Sequence, residues 1–382
     1  MRILMISDVY FPRVNGVSTS IAVYRRQLAQ LGHEVVLLAP DYPGTTAEPG
    51  VRRIPSRYLF IDPEDRILRA GRVRAMVEQL RAERYDLIHI QTPFIAHRLG
   101  VWLARRLELP VVETYHTFFE EYLYCYVPWL PREWLRWAAR HFTRSQCNKL
   151  DAVVTPSTAM AEVLRHYGVD APIEVIPTGI RMDEFAPADG ARFRANHGIA
   201  PERPVLLYVG RVAFEKNIDF LLEVTAEVKC QVPDVLFVIA GEGPASHALR
   251  ERVRERHLEE NVHFVGYLRR DGELQQCYSA ADLFIFASRT ETQGLVLLEA
   301  MALGTPVVST AVMGTRDVLR DGDGAVVAPE ETRVFADAVV ALLSDPARRH
   351  ELARRARDYA AEWSADAITR RMEAFYGQVI AR

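Results

Sequence analysis

The sequence predicts an α/β protein built from two successive doubly wound units, and three observations carry that reading. Short apolar runs alternate with segments of helical periodicity along most of the chain, the pattern of parallel strands covered by helices. The alternation is interrupted at the Pro/Gly-punctuated stretch Ile176-Pro177-Thr178-Gly179-Ile180 and then starts again. The length of 382 residues, 49% of them hydrophobic, is too great for one compact core and comfortable for two.

In the first unit Arg2–Ser7 is an apolar run suited to a strand buried on both faces. Val17–Leu31 follows with Val17, Ile21, Tyr24, Leu28 and Leu31 at helical spacing, and Gly32 stands where a C-terminal cap belongs. Glu34–Ala39, Asp86–Ile90 and Pro110–Tyr115 are the next strands, with helical patterns between them. In the second unit Pro204–Gly210 is a strand, Ile218–Val228 a helix, Val235–Gly241 a strand and Ala248–Glu259 an Arg/Glu-rich helix. Val262–Tyr267, Leu283–Ser288 and Pro306–Thr310 continue the strands. The boundary falls near 177–185, giving an N-terminal domain of residues 1–178 and a C-terminal domain of 179–364. The last helix, about Ala365–Ile380 within 365–382, is expected to cross back onto the first domain. Ligands in such folds sit at the carboxyl ends of strands, so two such domains facing one another would suit two substrates.

Composition excludes several classes. A formal net charge of -3 gives no reason to expect a nucleic-acid partner. Cys125, Cys147, Cys230 and Cys277 lack metal-ligand spacing and read as reduced, buried thiols of a cytosolic protein. The opening MRILMISD reads as a strand and not as a signal peptide. No apolar run approaches the roughly 20 residues of a membrane span, so membrane contact is expected to be peripheral. The only lysines are Lys149, Lys216 and Lys229, which makes a lysine in a functional-looking loop informative.

One such loop is Gly210-Arg211-Val212-Ala213-Phe214-Glu215-Lys216-Asn217, directly after a strand and before a helix. Arg211 and Lys216 beside a helix N-terminus suit a diphosphate, because dipole, backbone N–H groups and formal charge all favour an anion there. A solvated loop with two surface cations fits the same letters. The stretch from Ser288 to Ala302 is more specific. Glu291 lies ahead of the helix Leu295–Leu303, which Gly304 ends, and Glu299 lies on its second turn. Gly294 lets a ligand approach the backbone, and the N–H groups of Gln293, Gly294 and Leu295 point outward from the helix start. A carboxylate near such donors grips the vicinal hydroxyls of a sugar, and Glu299 can grip those of a ribose. Glu299 would be buried among apolar neighbours and needs a partner; an arginine would supply one without any ligand.

Glu291 and Glu299, separated by seven residues, resemble the paired-glutamate signature of family-4 retaining glycosyltransferases, and Arg211 with Lys216 resembles that family's diphosphate clamp. The likeness extends to Asp8-Val9-Tyr10-Phe11-Pro12 with Asn15-Gly16-Val17, to Ile176–Ile180 and to Ala240-Gly241-Glu242-Gly243-Pro244. It implies the GT-B architecture: two Rossmann-like doubly wound domains facing a central cleft, acceptor on the first and nucleotide sugar on the second. It places Glu299 on the ribose, and Glu291 with the amides of Gln293, Gly294 and Leu295 on the transferred sugar. It also places Gly16 near the phosphates, and His116 of Thr114-Tyr115-His116-Thr117 facing the sugar. On its own, His116 reads equally as a hydrogen-bonded structural histidine. The resemblance further implies retention of configuration by a front-face route in which the departing phosphate oxygen helps take the acceptor proton. Arg211 and Lys216 would stabilise the growing charge, and neither glutamate need be a nucleophile, so the catalytic set is His116, Glu291, Arg211 and Lys216. A carboxylate pair also serves glycoside hydrolases, but the phosphate-binding loop argues against that.

No metal and no cofactor beyond the nucleotide-sugar co-substrate is expected. Asp321-Gly322-Asp323-Gly324 looks like a metal-binding DxD but reads as a turn. The acceptor is read from Phe118–Lys149, which holds Phe118, Phe119, Tyr122, Tyr124, Tyr126, Trp129, Trp134, Trp137 and Phe142. Arg132, Arg136, Arg140 and Arg144 recur there at four-residue intervals, with Trp134, Trp137, Ala138, His141 and Phe142 on another helical face. Such a helix suits an anionic membrane surface, or else packs on its own domain with a solvated arginine side. Thr114–Tyr122 and Thr290–Leu295 are similar to stretches of bacterial diacylglycerol glucosyltransferases, peripheral membrane enzymes that use UDP-glucose. The expectation is therefore transfer of a hexose from UDP-glucose to a lipid acceptor such as diacylglycerol, at the inner face of the cell membrane. A GDP-mannose-dependent mannosyltransferase fits the same signature residues. A sugar-nucleotide 2-epimerase and a non-catalytic sugar-nucleotide-binding subunit are the readings from other classes.

Overall fold

The computed structural model describes residues 1–58, 66–116, 131–186 and 188–382. The chain forms two compact units, Met1–Gly179 with Ala365–Arg382, and Ile180–Ser364.

The first unit is built on a parallel sheet of β1 (Arg2–Ile6), β2 (Glu34–Pro40), β3 (Val51–Ile54), β6 (Leu87–Ile90), β7 (Val111–Thr114), β8 (Ala152–Thr155) and β9 (Ile173–Val175), in the order β3-β2-β1-β6-β7-β8-β9. A small antiparallel ribbon of β4 (Ser56–Tyr58) and β5 (Arg66–Leu68) stands beside it. The central strands are mostly apolar and buried from Ile3 onward in β1 and throughout β6 and β7, as a sheet covered on both faces requires, and the polar His89, Glu113 and Thr114 are buried with them. The spacing of the first helix is realised over Gly16–Gln30, with Asn15 accepting a capping hydrogen bond from Ser18 N and Gly32 at φ 84° beyond its end.

The last helix, Ala365–Ile380, belongs to the first unit. Its Ile368, Met372, Phe375, Tyr376 and Val379 lie at helical spacing and join Met5, Tyr24 and Leu28 in one core. Each large side chain so buried contributes about 1.5–3 kcal/mol.

The second unit repeats the plan with β10 (Val205–Val209), β11 (Leu236–Ala240), β12 (Val262–Gly266), β13 (Leu283–Phe286), β14 (Val307–Ser309) and β15 (Ala325–Val327), parallel and in the order β12-β11-β10-β13-β14-β15. In each sheet the order reverses once, between β1 and β6 and between β10 and β13. Adjacent strands there send their following segments in opposite directions and open a crevice at their carboxyl ends.

Three features differ from the sequence reading. The Arg/Glu-rich helix spans Ser246–Glu255 and stops short of Glu259, because His257 adopts φ 51° just after it. Cys230 is exposed at the end of the helix Ile218–Lys229, whereas Cys147 and Cys277 are buried; Cys125 lies outside the described residues. The strands Val51–Ile54, Ala152–Thr155 and Ile173–Val175 were not legible, being at most four residues long and, for two of them, carrying charges.

Candidate functional site

Two of the residues singled out in the second unit, Lys216 and Glu291, meet at its strand-order reversal. Arg211 and Lys216 follow β10, Glu291 follows β13, and the two strands are direct neighbours. Lys216 Nζ donates to Glu291 Oε1 at 2.5 Å, both side chains about one-fifth exposed. A cation and a carboxylate from separate loops are thus held at one spot, with solvent access.

The loop carrying Arg211 is fixed by glycines. Gly210 N bonds Ala240 O, Val212 N bonds Glu242 O and Ala245 N bonds Val212 O, so the segments after β10 and β11 lie backbone to backbone. A Cβ on Gly241 would stand 1.9 Å from Gly210 O, and one on Gly243 2.4 Å from Val212 O. Only glycine permits that approach, which accounts physically for the motif Ala240–Pro244. Tyr208, buried beneath, donates its hydroxyl to Arg211 O at 3.1 Å.

Gly294 caps the helix Leu295–Ala302 at φ 92°. Gln293 and Gly294 are buried and Leu295 is half-buried. Leu297 N bonds Gly294 O at 3.0 Å, while the N–H groups of Leu295 and Val296 precede the first i→i−4 bond, and a helix start of this kind favours an anion or a hydroxyl. Behind the loop, Gly314 N bonds Glu291 O at 2.9 Å, and a Cβ on Gly314 would meet Thr292 O at 2.1 Å. Ala311 and Met313 adopt positive φ in the same backing segment.

Glu299 is buried, its side chain 3% exposed, and it does have an arginine. Arg270 Nη2 donates to Oε1 at 2.9 Å and the Tyr278 hydroxyl to Oε2 at 2.9 Å. The carboxylate raises the pKa of both partners, burial being the larger cause for Tyr278. One lone pair on each oxygen still remains, since a carboxylate has about four acceptor positions. The sequence reading missed Arg270 and Tyr278, which stand far from Glu299 in the chain; only the need for a buried partner announced them.

In the first unit, Asp8 accepts from Ala96 N through both oxygens, at 3.1 and 3.0 Å, and from the Thr92 hydroxyl at 2.9 Å. It ties the end of β1 to the start of the helix Ile95–Leu107. Gly16 begins its helix in the open: a Cβ there meets nothing within 4 Å, so packing does not demand glycine. His116, half-buried at the end of β7, places Nε2 at 3.2 Å from Gln91 Oε1, and desolvation lowers its pKa to about 4. His89 is fully buried between the Tyr376 hydroxyl, 2.5 Å from Nδ1, and the Thr114 hydroxyl, 2.7 Å from Nε2. Burial and the neighbouring His116 lower its pKa to about 3.

The helix Arg132–Cys147 turns Leu135, Ala139, Thr143, Gln146 and Cys147 inward. Its aromatics are not packed on the domain: Trp134 is 75%, Trp137 66% and Phe142 43% exposed, with Trp137 stacked on His141. The arginines are partly solvated as well, with the Arg136 side chain 40% and that of Arg144 55% exposed. Arg136 pairs with Glu133, Arg140 lies over the Tyr167 ring and Arg144 approaches Asp170. Phe118, Phe119, Tyr122, Tyr124, Tyr126, Trp129 and the Arg132 side chain lie outside the described residues. No helix among the described residues is long and apolar enough to cross a membrane. Asp321-Gly322-Asp323-Gly324 is a turn, with Asp321 accepting from Val327 N and Asp323 pairing with Arg320.

Residues 14–184 match the family described as Glycosyltransferase Family 4, and residues 189–361 match Glycosyl transferases group 1. The alpha-monoglucosyldiacylglycerol synthase of Streptococcus pneumoniae is 35% identical over 323 residues, 81% of this chain and 71% of that protein. The chain belongs to glycosyltransferase family 4. This family-4 enzyme is also 29% identical to a GDP-mannose-dependent alpha-mannosyltransferase of Mycobacterium tuberculosis, over 93% of this chain and 91% of that one. The sucrose-phosphate synthase of Thermosynechococcus elongatus superposes on 100% of the chain and 99% of its own with a TM-score of 0.80 and 25% identity. The two doubly wound units are those of the GT-B glycosyltransferases, and the protein is a hexosyltransferase.

Proposed function

We propose that this family-4 enzyme transfers glucose from UDP-glucose to a diacylglycerol-type lipid at a membrane surface, with retention and without a metal. The observation that carries the lipid acceptor is the outward aromatic face of the helix Arg132–Cys147, in the unit assigned to the acceptor. Trp and Phe side chains presented in a row favour the lipid–water interface. The diacylglycerol-directed relative supports the same acceptor.

In this reading Arg211 and Lys216 take the diphosphate, Glu299 the ribose, and Glu291 with the amides of Gln293, Gly294 and Leu295 the transferred sugar. Lys216 also orients Glu291, since the two are bonded. Gly16 admits the phosphates, and His116 contacts the sugar as a neutral ring. As the donor bond breaks, negative charge grows on the leaving phosphate beside Arg211 and Lys216. That phosphate oxygen accepts the acceptor hydroxyl's proton while the hydroxyl oxygen bonds to the anomeric carbon on the same face. The mannosyltransferase reading is favoured by the relative aligned over 93% of the chain.

Serine at Trp134, Trp137 and Phe142 together should cut co-flotation with diacylglycerol vesicles and transfer into them. The expected loss is roughly tenfold per aromatic, from about 1.5 kcal/mol of apolar burial each. UDP binding should not change. Undiminished transfer would contradict the membrane-docking part of the proposal.

A further inference from the structure

The crevice at the first unit's strand-order reversal holds a buried side chain, Gln91, that the family signature does not use and that keeps an unpartnered polar atom. Gln91 leaves the end of β6, its backbone N–H bonded to Ile6 O at 2.9 Å across to β1, and it is 1% exposed. Among the described residues its amide makes one hydrogen bond, Oε1 to His116 Nε2 at 3.2 Å. Its own Nε2 is buried without a partner. An orphaned buried donor costs about 1–3 kcal/mol, so leucine or methionine would serve packing better. The amide therefore acts where it is bonded, on His116.

We propose that Gln91 is a positioning residue that holds His116 as the Nε2–H tautomer, so that Nδ1 presents its lone pair to a hydroxyl of the transferred sugar. The inference rests on His116 being the sugar-contacting histidine of the proposed function. With the amide oxygen turned to the ring at 3.2 Å, Gln91 accepts and the proton sits on Nε2. The amide turned over would donate and select the opposite tautomer, so the NMR pattern decides between the two orientations. Burial keeps the ring neutral at pH 7, which leaves Nδ1 an acceptor. The ring is fixed from one side by a side chain on the adjacent strand, and its other nitrogen is assigned by elimination. Without the amide oxygen the two tautomers are no longer distinguished, and the Nδ1–H form offers a donor where an acceptor is wanted.

The test is a long-range proton–nitrogen NMR spectrum of the full chain with nitrogen-15 histidine, the His116 signals being those lost in His116→Asn. The wild type should show the Nε2–H pattern, and Gln91→Leu and Gln91→Met should each show a mixture or the other tautomer. In parallel, kcat/KM for UDP-glucose with diacylglycerol vesicles should fall on the order of tenfold or more in both variants, the effect of a misplaced tautomer. An Nδ1–H pattern in the wild type would overturn the inference without any variant. An unchanged tautomer in both variants would overturn the role of Gln91, and a changed tautomer with unchanged kinetics would overturn the lone pair's role at the sugar. If the wild type itself transfers nothing from UDP-glucose, the donor assignment fails, and the spectrum alone still decides whether Gln91 sets the tautomer.

Discussion

Lys216 and Glu291 form a contact whose two halves do different work. Lys216→Ala leaves Glu291 without its partner and, in the proposed function, removes a cation from the leaving group's side. Transfer should fall by about 2–4 kcal/mol of barrier, roughly 30- to 1000-fold. A Lys216→Ala, Glu291→Gln double variant should lose less than the sum, because one bond is broken once. Steady-state kinetics of the three variants check this, and strict additivity would deny that the pair acts as a unit. Glu299→Gln carries two effects. In the proposed function it takes a charged acceptor from the ribose, worth about 1.5–3 kcal/mol or roughly ten- to a hundredfold in UDP affinity by calorimetry. It also leaves Arg270 without its counter-charge, so the melting temperature should drop as well. Unaltered UDP affinity would place Glu299 in the structural class that the sequence left open. His89 gives a pH dependence. Its folded pKa of about 3 lies below the ordinary 6.5, so the folded state stays neutral while the unfolded chain takes a proton. That contribution is complete above about pH 6.5 and is lost as pH falls toward 3, at up to about 1.4 kcal/mol per pH unit. His89→Gln should flatten the dependence of the urea midpoint on pH between 7 and 5, and an unchanged slope would contradict the assignment.

At the scale of elements, the loops after β10 and β11 owe their shape to glycines that let one backbone lie against the other. Gly241→Ala would press a Cβ onto Gly210 O and force a φ of 139° on a residue that resists it. The expected cost is about 1–3 kcal/mol in stability. Weaker UDP binding should accompany it, because Arg211 rides on the displaced loop. Melting and titration of this one variant measure both, and wild-type UDP affinity would mean that the loop is not held by this contact.

The same elements show what the sequence made legible. Glu291 and Lys216 were named from separate loops, and their meeting followed once the strands were placed in order, since β10 and β13 adjoin where the order reverses. Arg270 and Gln91 were not legible, because a partner brought in from another loop leaves no local period or spacing. The aromatic helix was legible as amphipathic, but which face looked outward was not: Leu135, Ala139 and Thr143 bury one side, and the arginines find partners on the flanks.

Across the whole molecule, both units are variations on one device, a parallel sheet whose strand order reverses beside a glycine-bearing loop. In the first, Gly16 and Gln91 stand at that reversal; in the second, Arg211, Lys216 and Glu291 do. The chain then returns to the first unit through Ala365–Ile380, where Tyr376 bonds His89. The return was legible only as an amphipathic helix, since its stripe of Ile368, Met372, Phe375, Tyr376 and Val379 demands a core without saying which. The central claim concerns what the enzyme joins. Radiolabelled UDP-glucose, UDP-galactose and GDP-mannose, each offered with diacylglycerol vesicles and with soluble sugars in the presence of a chelator, test it directly. The account predicts label in the lipid fraction from UDP-glucose alone; label from GDP-mannose alone, or only in water-soluble products, would contradict it.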